Sequence, residues 1–102
     1  MATEVRDDAA RSRYVISDGG MPAGYTEYHL HGDVIAFIHT EIGDEFGGRG
    51  LGSTLIEGAL DDARRRGLTV QPFCSFVRKF IAEHGDYRDL VSDAERERFG
   101  LS

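Results

Sequence analysis

The stretch Phe46-Gly47-Gly48-Arg49-Gly50-Leu51-Gly52-Ser53 holds the residue types and spacing that point most directly to chemistry. Glycines carry no Cβ to keep a ligand from the backbone. With a helix beginning among them, several free N–H groups meet at the positive end of its dipole, where phosphate binds well. Arg49 adds a cation and Ser53 a hydroxyl donor. Acids are normally favoured in a first helical turn, yet none stands between Gly47 and Thr54, although Asp44 and Glu45 lie just upstream. Two familiar phosphate loops fail on spacing. Arg49-Gly50 occupies the place where a P-loop needs Lys followed by Ser or Thr. A G-x-G-x-x-G fingerprint begun at Gly48 ends at Ser53, and one begun at Gly50 ends at Leu55. The plainer reading is a loop that only permits a tight strand-to-helix connection.

Three other side chains carry reactive groups. Glu41 and His39 are two residues apart at the end of an apolar run, so on a strand they share a face. Either could serve as a general base, the histidine with less adjustment of its pKa. The plainer readings are a solvated strand-end carboxylate and a satisfied structural histidine. Cys74 falls where a strand gives way to a helix, and a helix N-terminus, with Arg78 and Lys79 one turn on, favours the thiolate. It could act as a covalent nucleophile or pack as a small apolar side chain. No Cys/His cluster has the spacing of a structural zinc site, and no metal is expected.

The elements that must position these residues follow from periodicity. Residues 1–12 are polar and aperiodic and read as a flexible N-terminal arm. Tyr14-Val15-Ile16 reads as a short strand stopped by Asp18-Gly19-Gly20. Gly24 to Leu30 alternates Tyr25, Glu27 and His29 with Thr26, Tyr28 and Leu30, the period of a sheet surface. Val34 to Ile42 opens as a continuous apolar run, as a strand covered on both faces would. Three strands with tight turns predict an antiparallel meander. From Gly50 to Arg66, Leu51, Leu55, Ile56, Ala59, Leu60 and Ala63 fall in one half of a helical wheel, a stripe broken only by Asp62. Arg64-Arg65-Arg66 suit the negative end of that helix, and Gly67 supplies its stop. Leu68 to Phe73 reads as a strand beside the third one, and Ser75 as the cap of a second helix with Phe76/Phe80 and Val77/Ile81 as apolar pairs. Asp86 to Ser102 is charged and poorly periodic, and its last part, 93–102, reads as a tail.

The 102 residues allow one domain. A formal charge of −6 opposes the phosphate-neutralising term that dominates nucleic-acid affinity, so no nucleic acid is expected as a partner. No run approaches the ~18 apolar residues of a membrane span, and the N-terminus carries acids where a secretory signal would be basic. One cysteine and no internal disulfide fit a reducing, cytoplasmic setting.

His39-Thr40-Glu41-Ile42, Glu45 to Ser53, Ala59-Leu60-Asp61-Asp62-Ala63-Arg64 and Pro72-Phe73-Cys74-Ser75-Phe76-Val77 occur in that order. Together they resemble the small, single-domain members of the GNAT superfamily of N-acetyltransferases, over about Arg13 to Val91. The resemblance implies a compact, minimal GNAT-like α/β domain over 13–92, with an antiparallel-dominated sheet and two main helices. It implies acetyl-CoA as cofactor, with Ile42 and Gly47, Gly48, Arg49, Gly50, Leu51, Gly52 and Ser53 as its binding residues. Gly50-Leu51-Gly52 fits the second half of the family's pyrophosphate loop; Gly47 stands where the larger family has Gln or Arg, with Arg49 as a substitute. It also implies strands that splay on either side of the helix, and an acceptor side left open because the covering helices are missing. The expected activity is acetyl transfer to the amine of a small molecule or peptide, with Glu41, His39 and Cys74 as candidate catalytic groups. The alternative is a CoA-binding module without turnover, serving as a sensor or interaction partner.

Overall fold

A computed structural model describes residues 3–101; Met1, Ala2 and Ser102, which belong to the expected arm and tail, lie outside the described residues. Strands β1 (Thr3–Asp8), β2 (Arg13–Asp18), β3 (Met21–His31), β4 (Val34–Ile42) and β5 (Thr69–Pro72) form one sheet in the order β1-β2-β3-β4-β5. The first four are antiparallel neighbours, and β5 joins β4 in parallel. A parallel neighbour needs a crossover, which helix α1 (Leu51–Arg65) supplies. Helix α2 (Ser75–Glu83) follows β5, and a short helix α3 (Asp93–Arg98) is the last element among the described residues.

The α1 stripe read from the sequence is the one that is buried: Leu51, Leu55, Ile56, Ala59, Leu60 and Ala63. It meets Tyr14, Ile16, Tyr28, Ile35 and Phe37 from the sheet, and α2 adds Val77, Phe80 and Ile81 to the same cluster. Each large aliphatic side chain taken from water there contributes about 1.5–3 kcal/mol. Both main helices therefore cover one face of the sheet. The other face carries the alternate residues: Arg13 and Val15 on β2, Tyr25 and Glu27 on β3, and His39 and Glu41 on β4.

Three local readings need correction. The stretch read as a flexible arm contains β1, whose six residues all pair with β2. It is an edge strand, where charged side chains are tolerated and one apolar anchor suffices. That anchor, Val5, lies against α1 so closely that a Cβ on Gly58 would come within 2.9 Å of it. The charged C-terminal stretch also packs: Tyr87, Leu90, Val91 and Leu101 are buried, and Gln71 on β5 donates to Glu95 Oε1 at 2.6 Å. Ser75 does not cap α2. Cys74 holds the N-cap position with extended backbone angles, and no side chain caps the helix.

One irregularity sets the phase of the central strand. Glu27 faces His39 and Tyr28 faces Phe37, so Ile38 is an extra residue in β4. Such a bulge lets Phe37 and Thr40 both point toward the helices while His39 and Glu41 point away. A second discontinuity lies on the other edge of β4. Its pairing with β5 ends at Phe37 opposite Pro72, where Cys74 N–H donates to Phe37 O at 2.9 Å. From Ile38 to Ile42 the β5-facing edge of β4 has no strand partner, and the two strands part.

Candidate functional site

The gap between β4 and β5 opens onto the start of α1. Gly48 and Gly50 take positive φ angles of 75° and 73°, which only glycine adopts at little cost, and Gly50 is the N-cap of α1. Among the described residues, no backbone N–H from Gly48 through Ser53 has a hydrogen-bond acceptor; the first helical bond runs from Thr54 N to Gly50 O at 3.2 Å. The first turn of α1 has no acidic side chain and no capping side chain. A helix start left in this state offers its donors to an anion or to water. The groove at this end has a volume of about 220 Å³ and is lined by Ile42, Phe46, Gly47, Gly48, Leu51, Gly52, Ser53 and others.

Every expected cofactor residue except Arg49 lines that groove. Arg49 instead pairs with Asp18 at the end of β2, 2.6 Å away, and its guanidinium lies 5.9 Å from the centre of the Phe46 ring. The cation thus braces the loop against the β2 end and is not turned into the groove. Phe76, from α2, is the groove's remaining wall. Its ring stands over Gly52, where an added Cβ would meet Phe76 Cζ at 2.7 Å. At 42% exposure Phe76 is one of the few large apolar side chains left open to solvent. A second groove, of about 170 Å³, continues past Ser53 and Phe76 to Lys79 and Glu83.

The three candidate catalytic side chains divide between the two faces. His39 Nε2 and Glu41 Oε1 are 3.1 Å apart on the bare face, with side chains 53% and 62% exposed. The Tyr25 ring lies beside His39, centroids 6.0 Å apart. Cys74 is on the helix side, 8% exposed. Its Sγ lies 3.3 Å from Thr40 Oγ1, which is 2.9 Å from Oγ1 of the fully buried Thr26. The three groups do not converge on one point, yet all border the part of β4 that β5 leaves unpaired. Thr40 and Phe76 are the neighbours that the sequence did not single out. Phe76 has the spacing of a core residue, and Thr40 faces inward only because of the bulge at Ile38.

A different kind of polar cluster closes the far end of α1. Tyr14 O–H donates to Asp62 Oδ2 at 2.5 Å, and Tyr28 O–H to Asp7 Oδ1 at 2.6 Å. Arg66 reaches Tyr14 Oη at 3.2 Å and Asp7 at 3.3 Å, while Arg65 also bonds Asp62. Burial, and then donation to Asp7, push the Tyr28 phenol up to about 12. Burial, followed by the bond to Asp62, raises Tyr14 as well. For Asp62 burial works against ionisation, but hydrogen bonds from Tyr14, Arg65 and Arg66 outweigh it and hold the carboxyl below its usual range. Asp62, the one residue that broke the apolar stripe, is the hub of this cluster.

The antiparallel meander, the single parallel crossover and the parted β4–β5 pair with a glycine-rich helix start at its mouth define a GNAT-type α/β domain. The chain belongs to the GCN5-related N-acetyl-transferase family, whose sequence profile matches residues 13–90. Among solved structures it is similar to a GCN5-like N-acetyltransferase candidate from Staphylococcus aureus, at 24% identity over 87% of each chain with a TM-score of 0.66. It is also similar to the ribosomal-protein-S18-alanine N-acetyltransferase from Escherichia coli, at 19% identity and a TM-score of 0.54 over 57% of this chain and 38% of that one. Ard1 from Thermoplasma volcanium aligns at 18% identity and a TM-score of 0.54, over 64% of this chain and 45% of that one. The chain thus spans less than half the length of these last two. No curated protein sequence matches it. Among the described residues, no helix is long and apolar enough to cross a membrane, and no group of His, Cys, Asp and Glu is arranged to hold a metal ion.

Proposed function

We propose that this protein is an acetyl-CoA-dependent N-acetyltransferase that moves an acetyl group to an amine. The observation that carries the reading is the run of acceptor-free N–H groups from Gly48 to Ser53 beside a strand edge that β5 abandons after Phe37. A diphosphate fits the first feature: the donors are backbone groups, the first turn lacks acids, and the loop glycines leave room for close approach. An extended, amide-bearing chain fits the second, because the free edge of β4 offers it strand-like hydrogen bonds. Ile42, Phe46 and Phe76 give that chain an apolar wall. When bound, acetyl-CoA supplies the acyl group as a thioester.

The chain's own residues then have three tasks. The loop and α1 fix the cofactor, and positioning of this kind removes a large part of the barrier to a reaction between two bound partners. His39 and Glu41, bonded to each other on the open face, receive the proton that an amine must lose as it attacks. As the C–N bond forms the C–S bond breaks, and Thr40 and Cys74, 3.3 Å apart beside the parted strands, hold the hydroxyl and thiol protons available to the thiolate that leaves. A covalent route would use Cys74 as the first acyl acceptor; the direct route needs only the amine. Low exposure of Cys74 favours the direct route.

Release of free thiol from acetyl-CoA, measured with a panel of primary amines, tests the activity. Turnover should appear with at least one amine, and either Glu41→Gln or His39→Gln should lower it by about a hundredfold. Full rates in both variants would remove these residues as the base. Intact mass after incubation with acetyl-CoA alone tests the covalent route, and an acetyl adduct lost in Cys74→Ala would establish it. Cofactor binding without thiol release for any amine would leave the non-catalytic CoA-binding module as the correct reading.

A further inference from the structure

The bare face of the sheet carries a groove of about 320 Å³ that the cofactor site does not use. Its lining includes Arg6, Asp8, Arg11, Arg13, Tyr25 and Glu41. Register explains the grouping: Arg6 faces Val15, Val15 faces Tyr25 and Tyr25 faces Glu41, so one row crosses four strands. The next row runs from Asp8 through Arg13 and Glu27 to His39. The groove therefore ends at Glu41 on β4, whose carboxylate meets His39, and begins at Arg6 on β1 and Arg13 on β2.

Charge in this groove runs against the rest of the chain. Three arginines and two carboxylates line it, in a protein of formal charge −6. Arg11 is engaged with Asp8 at 3.3 Å. Among the described residues, neither Arg6 nor Arg13 has a carboxylate within ion-pairing distance, although most of the other arginines do. Arg13 lies over the Tyr25 ring at 4.3 Å, which fixes its guanidinium plane on the groove floor. Its Nε is buried and, among the described residues, has no acceptor. Leaving a buried charged donor unmet costs free energy that an anionic ligand would return.

We propose that this groove is the acceptor pocket and that it selects small amines carrying a carboxylate, with the amine at Glu41 and His39 and the carboxylate at Arg13 and Arg6. The assignment rests on the acetyltransferase reading given above. Arg13 and Glu41 lie on β2 and β4, two strands apart, a spacing of roughly 10 Å across the sheet, so an acceptor with about three to five carbons between its two groups fits once the two side chains take up part of that span.

The test compares acceptors that differ only in the carboxylate: γ-aminobutyrate against butylamine, with acetyl-CoA as donor and thiol release as readout. In parallel, the CoA-saturated protein is titrated with γ-aminobutyrate while the backbone amide signals of Tyr25 and Glu41 are followed by NMR. The wild type should prefer γ-aminobutyrate by about tenfold or more in kcat/KM, and Arg13→Gln should bring that ratio close to one, with Arg6→Gln in between. The Tyr25 and Glu41 signals should shift on titration in the wild type and much less in Arg13→Gln. A wild-type ratio at or below one, or a ratio that neither variant moves, overturns the proposal. If CoA itself produces no binding heat, the acetyltransferase reading falls and takes this one with it. If CoA binds but γ-aminobutyrate leaves both signals in place, the pocket assignment alone is wrong.

Discussion

The two ends of α1 use the same helix to opposite purposes. At the N-terminal end the backbone donors from Gly48 to Ser53 have no acceptor among the described residues, and no side chain caps the helix. At the C-terminal end Asp62, Arg65, Arg66, Tyr14 and Asp7 bond one another through several contacts, tying the helix to β1 and β2. The first end, where Gly48, Arg49, Gly50 and Ser53 are exposed, leaves its donors to water or a ligand and adds little to the fold. The second end commits its polar groups to the fold itself. The difference separates the end we propose for a ligand from the end that holds the scaffold, and it assigns opposite signs to mutations placed at each.

The largest effect belongs to the scaffold end. Asp62→Ala leaves the Tyr14 hydroxyl without its acceptor and frees two guanidiniums, and should cost about 2–3 kcal/mol of unfolding free energy. For a domain of this size that is a fall of about 10–20 °C in Tm. Affinity for CoA, measured well below the transition, should hardly change. The same residue has an acid signature. Because its folded pKa is depressed, its contribution is present above the unfolded value of about 4 and is lost as pH falls through the lower folded one. Asp62→Asn should flatten the part of the acid limb that the wild type shows below about pH 4.

Ser53→Glu sharpens the comparison from the other end. The side chain is exposed in the first turn of α1, where a carboxylate should raise helix stability by about 0.3–1 kcal/mol. It should also weaken CoA by about tenfold or more, through repulsion of the diphosphate. A rise in Tm together with a fall in affinity is hard to produce by any structural damage. Tyr28→Phe should cost about 1 kcal/mol for the lost bond to Asp7. Since the folded pKa of Tyr28 is raised to about 12, its share of stability is complete below pH ~10 and disappears as pH rises through the folded value. Denaturant unfolding at alkaline pH should lose that dependence in the variant. The smallest change is expected for Arg64→Ala. Its paired contact with Asp89 is exposed to solvent, and removal should shift stability by no more than about 0.5 kcal/mol.

How far the sequence could be read depended on whether a residue's partner was local. The strand Val34–Ile42 and the α1 stripe are marked by their own periodicity, and the structure has them where the pattern puts them. The parallel placement of β5 follows from a strand, helix, strand order alone. β1 was not legible because an edge strand needs only Val5 to be apolar. The packed C-terminal stretch was missed because Tyr87, Leu90, Val91 and Leu101 fall on irregular 3-10 turns and loops with no common period. In the site, the glycine-rich loop was visible as a motif, whereas the commitment of Arg49 to Asp18 depends on a contact between residues far apart in the chain. The bulge at Ile38 has no local signature, and without it Thr40 would not be expected beside Cys74. Asp62 looked like a flaw in an apolar face because its partners Tyr14 and Asp7 lie on other strands.

Calorimetric titration of CoA into the full chain, wild type beside Ser53→Glu, addresses the unsatisfied helix end directly. The account requires measurable heat for the wild type and an affinity lower by about tenfold or more in the variant, whose fold is at least as stable. Absence of heat in the wild type, or equal affinities in the two proteins, would contradict it.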